Sequence, residues 1–371
     1  MHITLHLTTG CNLNCTYCYA PPFHRADMAL ETAHKAVEYA GMLSPFNAGV
    51  IFFGGEPLLR KDLIKSTISY CHKLKKKFNY QFHFKVTTNG MLLDEEFLDY
   101  CQKVKLSVAL SIDGIKEAHN FHRKTSQGEG TFNIIEPKIN LLLKYKPYAY
   151  FLMVITPETV KHYYNSVKYL FDKGAKYIIA SINYAGNWRE ADLNELKRQY
   201  RLLSNLYKEM TIKQKKFYFS PFEMKFSSYI KNEDGMCEKC HLGMKQVSVA
   251  ADGTIYPCVQ FVNKEGYEIG NVNEGINFKK REKLYNLTFE NTACSGCKVL
   301  ERCNNRCSCL NYQTTGHINN VSPVLCETER MLIPVVDKLG EKLFSRREPM
   351  FIQKHYNAVY PLLSLLEDMN S

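Results

Sequence analysis

Nowhere in its 371 residues does the chain carry an apolar run long enough to cross a bilayer. Its first residues, Met1-His2-Ile3-Thr4-Leu5-His6-Leu7, lack the basic n-region and cleavage site of a signal peptide. Both absences point to a reducing cytoplasm and exclude a membrane partner. Negative charge is also in the minority, with 37 Asp and Glu against 48 Lys and Arg, a formal net charge of +11. The excess lies in scattered lysines and in short runs at Lys73–Lys77 and Lys213–Lys216. Such runs read as solvated helix faces or as a surface for an acidic peptide. No RNA-binding module is recognisable, so nucleic acid is set aside as a partner.

Cysteine, by contrast, is abundant, with 14 in a chain long enough to fold without cross-links. A leading triplet and a dense C-terminal set suggest metal rather than a disulfide lattice. The triplet is Cys11-Asn12-Leu13-Asn14-Cys15-Thr16-Tyr17-Cys18, a C-x3-C-x2-C spacing directly after an extended apolar segment. Three thiolates can hold three irons of a cubane and leave the fourth open, whereas four close a metal off. Three zinc-binding or merely buried cysteines would share this spacing.

From residue 1 to about 215, β-rich runs alternate with amphipathic stretches. Strands are predicted at Ile3–Thr8, Val50–Phe53, Phe82–Thr87, Leu106–Ser111, Tyr150–Ile155 and Tyr177–Ile182. Helices are predicted at Leu30–Gly41, Asp62–Phe78, Asp94–Lys103, Thr131–Tyr145, Tyr163–Lys173 and Leu193–Met210. Strand–helix alternation with right-handed crossovers makes a parallel α/β sheet, and six units make a partial (β/α)6 TIM-like barrel with its functional groups at the C-terminal strand ends. The expected domains are this barrel over 1–215, a linker over 216–235, a separate metal-organised domain over 236–330 and a helical tail over 331–371. In the tail, Arg330–Phe344 and Ile352–Met369 are the candidate helices.

Other chemistry gathers at the strand ends. Strand two ends in Gly54-Gly55-Glu56-Pro57, where glycine allows close approach and a carboxylate and carbonyls can take an ammonium group. The third ends in Thr87-Thr88-Asn89-Gly90, and the fourth runs into Ser111-Ile112-Asp113-Gly114, with His119, His122 and Arg123 beyond. These groups suit a ribose and a carboxylate, although helix caps and turns use the same residues. Asn183 stands near the end of strand six. Neither histidine is assigned a catalytic role.

The triplet, with Tyr17 before its last cysteine, and Gly54–Pro57 one strand later, resemble the signature of radical S-adenosylmethionine (SAM) enzymes. The resemblance implies a SAM-binding [4Fe-4S] cluster on Cys11, Cys15 and Cys18, and cofactor contacts from Tyr17, Gly54, Gly55, Glu56, Asn89, Ser111, Arg123 and Asn183. It also implies reductive cleavage of SAM to a 5′-deoxyadenosyl radical, hence anaerobic chemistry and a reductant such as flavodoxin or ferredoxin.

Further on, Cys237-x2-Cys240 precedes Gly253-x4-Cys258, then Cys294-x2-Cys297-x5-Cys303-x3-Cys307 and Cys326. This order resembles the SPASM domain of peptide- and protein-modifying radical SAM enzymes. The resemblance implies one auxiliary cluster on Cys237, Cys240, Cys258 and Cys307, and a second on Cys294, Cys297, Cys303 and Cys326, three clusters in all. Structural zincs or an electron-transfer protein without catalysis remain alternatives. Cys71, Cys101 and Cys309 are left as core or spare thiols, with Cys309 close enough to compete as a ligand.

The sulfatase-maturating branch of the family has an aspartate directly after the cysteine of the G-x4-C element, as a general base that leads to formylglycine. Here that residue is Val259, which takes no proton. Tyr256-Pro257-Cys258-Val259-Gln260-Phe261 instead resembles the element of thioether-forming maturases of ribosomal peptides. The expected reaction is a Cys sulfur-to-carbon cross-link in a precursor peptide, with a carbon–carbon link, an epimerisation and formylglycine as rivals. Because the chain begins on strand one, leader binding is expected to need a separate leader-recognition protein, the basic surface or the helical tail after residue 330.

Overall fold

The structure is a computed structural model that describes residues 1–19, 26–230, 240–288 and 292–364. In chain order its strands are β1 (His2–His6), β2 (Ala48–Phe53), β3 (Phe82–Thr88), β4 (Leu106–Ser111), β5 (Tyr150–Ile155), β6 (Tyr177–Ile182), β7 (Tyr218–Phe219), β8 (Gln246–Val249), β9 (Thr254–Tyr256), β10 (Gly270–Asn271) and β11 (Gly275–Ile276). The helices are α1 (Leu30–Leu43), α2 (Lys61–Phe78), α3 (Glu95–Lys103), α4 (Lys116–His122), α5 (Phe132–Tyr145), α6 (Tyr163–Asp172), α7 (Glu190–Ile212), α8 (Ser220–Ile230), α9 (Phe278–Leu287), α10 (Ser308–Thr315), α11 (Pro323–Ser345) and α12 (Pro349–Tyr356). The chain is mixed α/β and divides into two compact units. The first comprises Met1–Ser111, His122–Leu141 and His241–Glu290; the second comprises Ile112–Phe121, Leu142–Cys240 and Asn291–Ser371.

In the first unit β1, β2, β3 and β4 lie side by side and parallel, with Ile3 opposite Val50, Val50 opposite Phe84 and Phe84 opposite Leu106. Parallel strands are covered on both faces, so β1 and β2 are buried almost throughout instead of alternating. In α2 the buried Leu63, Ile64, Thr67, Ile68, Cys71 and Leu74 recur at helical spacing, and Asn79 ends the helix at φ 58° in the left-handed region. Asp94 caps α3 by accepting the Phe97 N–H at 2.8 Å.

Two boundaries differ from the expected domains. β8 pairs in parallel with β1, placing Val247 opposite Ile3, and β9, β10 and β11 continue antiparallel from it. Residues 246–276 thus extend the N-terminal sheet rather than standing apart, because the outer edge of β1 offered unpaired backbone groups. Residues 216–230, expected as linker, form β7 and α8, and α8 buries Phe222, Glu223, Lys225 and Phe226. Glu223 and Lys225 of this stretch are paired inside the second unit.

That unit holds β5, β6 and β7 in parallel, with Tyr177 opposite both Tyr150 and Tyr218. Helices α7, α8, α11 and α12 pack together through Tyr207, Phe222, Phe226 and Phe351. The helix expected over Ile352–Met369 is interrupted after Tyr356, where Asn357 adopts extended backbone; residues 365–371 lie outside the described set. Among the described residues no helix is long and apolar enough to cross a membrane.

Burial holds His355 of α12 neutral, lowering its pKa from 6.5 to about 4 against the opposing pull of Glu223. Glu223 faces it from α8, Tyr207 from α7, and Lys354 adjoins it on α12. A depressed folded-state pKa means that the unfolded chain binds the proton first. Stability from this histidine is therefore full above pH 6.5 and lost as pH falls toward 4, by roughly 3 kcal/mol. The urea midpoint is expected to fall across that window, and less steeply in a His355→Phe variant.

Candidate functional site

The cysteine triplet occupies the loop between β1 and α1 in the first unit. Cys11 and Cys18 are exposed and Cys15 half-buried. Gly54 and Gly55, at the end of β2, press directly against that loop. The Gly55 N–H donates to the Thr8 carbonyl at 2.8 Å and the Glu56 N–H to the Gly10 carbonyl at 2.9 Å. A Cβ on Gly54, at φ +135°, would meet the Thr8 carbonyl oxygen at 2.4 Å, and one on Gly55 the Gly10 carbonyl oxygen at 2.2 Å. Only glycine permits this approach.

Residues 122–124 hold the other side. The Asn14 N–H donates to the Lys124 carbonyl at 2.8 Å, and the Thr16 N–H to the His122 carbonyl at 3.1 Å. The Thr16 hydroxyl and His122 Nδ1 lie 2.5 Å apart, and the rings of His122 and Tyr17 have centroids 4.8 Å apart. The Arg123 guanidinium lies over the Tyr17 ring at 5.5 Å. His122 is thus a functional neighbour that sequence reasoning left without a role. No local spacing betrays it, because its partners lie more than a hundred residues away.

The Asn89 side-chain amide donates to Asn12 Oδ1 at 2.8 Å and lies 3.8 Å from the Cys11 sulfur. Glu56 is wholly buried, and its carboxylate faces inward rather than into open space. Oε1 accepts the Leu58 N–H at 2.9 Å and the Thr88 hydroxyl at 2.7 Å, while Oε2 accepts the Asn89 N–H at 2.8 Å. Burial pushes this carboxyl above its ordinary range, and the three donors pull it back. Glu56 therefore ties the end of β2 to the end of β3. Glu56→Gln places an NH2 group against a donor, and is expected to cost about 1–3 kcal/mol in chemical denaturation.

Ser111 ends β4 half-buried, and Arg123 is buried beside Tyr17. Asn183 belongs to the second unit, where its Oδ1 accepts the Ala185 N–H at 3.2 Å and its carbonyl the Trp188 Nε1–H at 2.7 Å.

Within the second unit, Cys294, Cys297, Cys303 and Cys326 line one pocket together with Asn305 and Arg330. The structure thus brings together the four cysteines expected to form one auxiliary set. Burial pushes the Cys303 thiol up to about 12, with the Glu329 charge adding, and also raises Cys326. Thiols held neutral in such a pocket lose their protons when a metal binds them. Asn305, 6% exposed, lines the pocket with a buried Oδ1 that has no hydrogen-bond partner. Four cysteines lining one pocket fit a bound iron–sulfur group. Among the described residues no three His, Cys, Asp or Glu side chains converge on a single-ion site.

Of the other expected set, Cys237 lies outside the described residues. Cys258 is buried in the first unit, at the start of the 3-10 turn Val259–Phe261. Cys240 and Cys307 belong to the second unit, where hydrogen bonds from Cys240 and Cys309 hold the Cys307 thiol well below its ordinary range. Cys71 and Cys101 are buried in α2 and α3, away from both sets in sequence, and burial pushes Cys71 up.

The profile of the radical SAM superfamily matches residues 5–170, and that of the SPASM iron–sulfur cluster-binding domain matches residues 237–307. A cysteine-type anaerobic sulfatase-maturating enzyme of Clostridium perfringens is 29% identical over 338 residues, covering 81% of this chain and 86% of its own. The solved structure of His6-tagged anSMEcpe with bound AdoMet shares the fold at a TM-score of 0.80 and 23% identity, covering 91% of this chain and 97% of its own. Streptococcus suis SuiB bound to its precursor peptide SuiA matches at a TM-score of 0.63 and 16% identity, over 88% of this chain and 75% of its own.

Proposed function

Because the chain is a radical SAM enzyme with a SPASM iron–sulfur domain, a maturase of peptide or protein substrates, we propose that it forms a Cys thioether cross-link in a ribosomally made precursor peptide. SAM with its cluster supplies the hydrogen-abstracting 5′-deoxyadenosyl radical, and auxiliary clusters supply an electron sink. Cys11, Cys15 and Cys18 would hold the SAM-binding cluster. Two further clusters would rest on Cys237, Cys240, Cys258 and Cys307 and on Cys294, Cys297, Cys303 and Cys326. The Gly54 and Gly55 backbone, with the Glu56 carboxyl already engaged, offers carbonyls for the methionyl ammonium. Arg123 offers a guanidinium for the methionyl carboxylate, and Tyr17, Asn89, Ser111 and Asn183 complete the proposed cofactor contacts. Flavodoxin or ferredoxin would supply electrons, and a separate protein the leader recognition, in a reducing cytoplasm.

The observation that carries the thioether reading is Val259. It stands directly after buried Cys258, at the first residue of a 3-10 turn, where formylglycine chemistry uses a carboxylate. An isopropyl group accepts no proton, so a substrate thiol is bonded here rather than converted to an aldehyde. Formylglycine formation is the second reading, favoured by the similarity to the Clostridium perfringens sulfatase-maturating enzyme.

Anaerobic incubation of the reconstituted enzyme with SAM, a reductant and a cysteine-bearing precursor separates the two. The thioether reading expects a product lighter by two hydrogens, resistant to thiol alkylation and unreactive toward hydrazide. A hydrazide-reactive aldehyde at the former cysteine would replace that reading with formylglycine.

A further inference from the structure

β8, β1, β2 and β3 run parallel, so the residues just ahead of each strand come together at one end of the first unit. Contacts between these segments tie them to one another. The His2 N–H donates to the Lys245 carbonyl at 3.0 Å, the Met1 nitrogen to Ser44 Oγ at 2.9 Å, and the Gln81 N–H to the Pro45 carbonyl at 2.8 Å. Tyr80 packs on Gly41, where a Cβ would meet its ring at 2.3 Å, and Phe78 stacks on Tyr80 with centroids 5.4 Å apart.

Apolar side chains stand open at this end: Phe46 is 81% exposed, Met42 66%, Phe78 49% and Met244 38%. Exposed lysines accompany them, with Lys73, Lys75, Lys76 and Lys77 in the C-terminal part of α2 and Lys245 directly before β8. Lys77 lies over the Phe78 ring at 4.8 Å. Among the described residues none of the five has an ion-pair partner, and residues 1–26, 39–55, 63–93 and 241–251 contain no Asp or Glu. The dipole at a helix C-terminus accounts for lysines in α2, but not for open Phe46 and Met42. Apolar groups gathered within a basic rim mark an interaction surface.

We propose that this end of the sheet docks an acidic segment of a partner protein, one in which carboxylates flank apolar side chains. Charge complementarity sets the sign of the partner, because lysines surround the patch and no carboxylate belongs to the segments that build it. Nucleic acid fits poorly: Phe78 and Tyr80 already stack on each other, Lys77 covers Phe78, and methionine has no ring to receive a base. A lipid interface is anchored by Trp and Tyr, whereas the open set here is Phe and Met, and the flexible Met chain adapts to a protein surface. Cys11 and Cys18 follow the opposite ends of the same strands, roughly 17 Å away by the rise of β1. The surface therefore suits a partner that holds a peptide rather than one that passes electrons to that loop. Resting on the peptide-maturase reading, that partner is the protein that recognises the precursor's leader.

Fluorescence anisotropy of a fluorescein-labelled peptide of repeating Glu-Leu-Glu-Phe, with the full-length chain and without SAM or reductant, tests the surface. A chain that makes no cross-link still reports on it, so failure of the thioether reading stays separate. Wild-type affinity is expected to fall about tenfold in Phe46→Ser and about tenfold in Lys75→Ser/Lys76→Ser. Lys213→Ser/Lys215→Ser removes the same charge from the second unit and is expected to change affinity less than about twofold. A repeating Glu-Ser peptide is expected to bind about tenfold more weakly than the probe. Equal weakening by the two lysine pairs, or no effect of Phe46→Ser, overturns the proposal. So does a chain that leaves the peptide unbound and instead binds phosphatidylglycerol vesicles or oligouridylate in a manner that Phe46→Ser abolishes.

Discussion

A Cys15→Ala chain is expected to form no 5′-deoxyadenosine from SAM while retaining about eight of twelve irons. The leading loop has three thiols, and a cubane that leaves one position for SAM needs all of them. Cys15 is the middle one of the three. Every other cysteine of the first unit lies on another element: Cys71 in α2, Cys101 in α3 and Cys258 after β9. The loop itself should keep its path in the variant. Its backbone is tied to the carbonyls of His122 and Lys124, and the Gly55 and Glu56 N–H groups donate to the carbonyls of Thr8 and Gly10. Chromatographic assay of 5′-deoxyadenosine with iron analysis of the same sample checks both halves of the expectation. Cys71→Ala is the control, because a thiol buried in α2 contributes packing rather than a ligand, and its loss should leave turnover unaltered.

Glu223→Ala is expected to remove about 3–5 kcal/mol of stability. The Glu223 carboxylate accepts from the Lys354 ammonium and from the Tyr207 hydroxyl at 2.9 Å, and lies 3.5 Å from His355 Nε2. Lys354 also donates to the Phe217 carbonyl at 2.6 Å and lies over the Phe217 ring at 4.3 Å. Taking away the carboxylate strands an ammonium whose side chain is 11% exposed. The intact pair need not be strongly stabilising, because both ions surrendered their hydration. Glu223→Leu combined with Lys354→Met should therefore recover most of what either change alone removes. Urea midpoints for the two single variants and the pair measure that coupling directly. A pair whose losses simply add would show that the ions act independently.

Lys225 and Glu329 form a second such pair at 2.5 Å, each side chain 4% exposed, with Arg302 and Asp337 beside them at 2.6 Å. Together the two networks explain how Glu223 and Lys225 sit in a packed helix, α8, and not in a connector. Charged residues normally mark exposed chain, and their partners here come from α11 and α12, more than a hundred residues on. Hydrophobic periodicity reads one segment at a time, so it locates the six strands and six of the seven described helices of 1–215 within a few residues, passes over α4, and misreads this one. The same limit applies to β8. Its backbone pairs with β1 across more than two hundred residues, which carries residues 246–276 of the expected second domain into the first sheet.

Local spacing alone carried the family resemblance and the proposed ligand sets: C-x3-C-x2-C, a glycine pair one strand later, and C-x2-C-x5-C-x3-C are patterns written into a few consecutive residues. Val259 after Cys258 belongs to the same class, since the identity of one neighbour decides whether a base is at hand. Only the tertiary structure decided which groups are spent on holding the site. Glu56 turns its carboxylate inward to join β2 to β3, His122 braces Tyr17, and Cys309 comes within 3.5 Å of Cys307. The reason is physical. A ligand set needs only the right residues at a short interval, whereas the fate of a buried polar group depends on whichever donors and acceptors the folded chain brings to it.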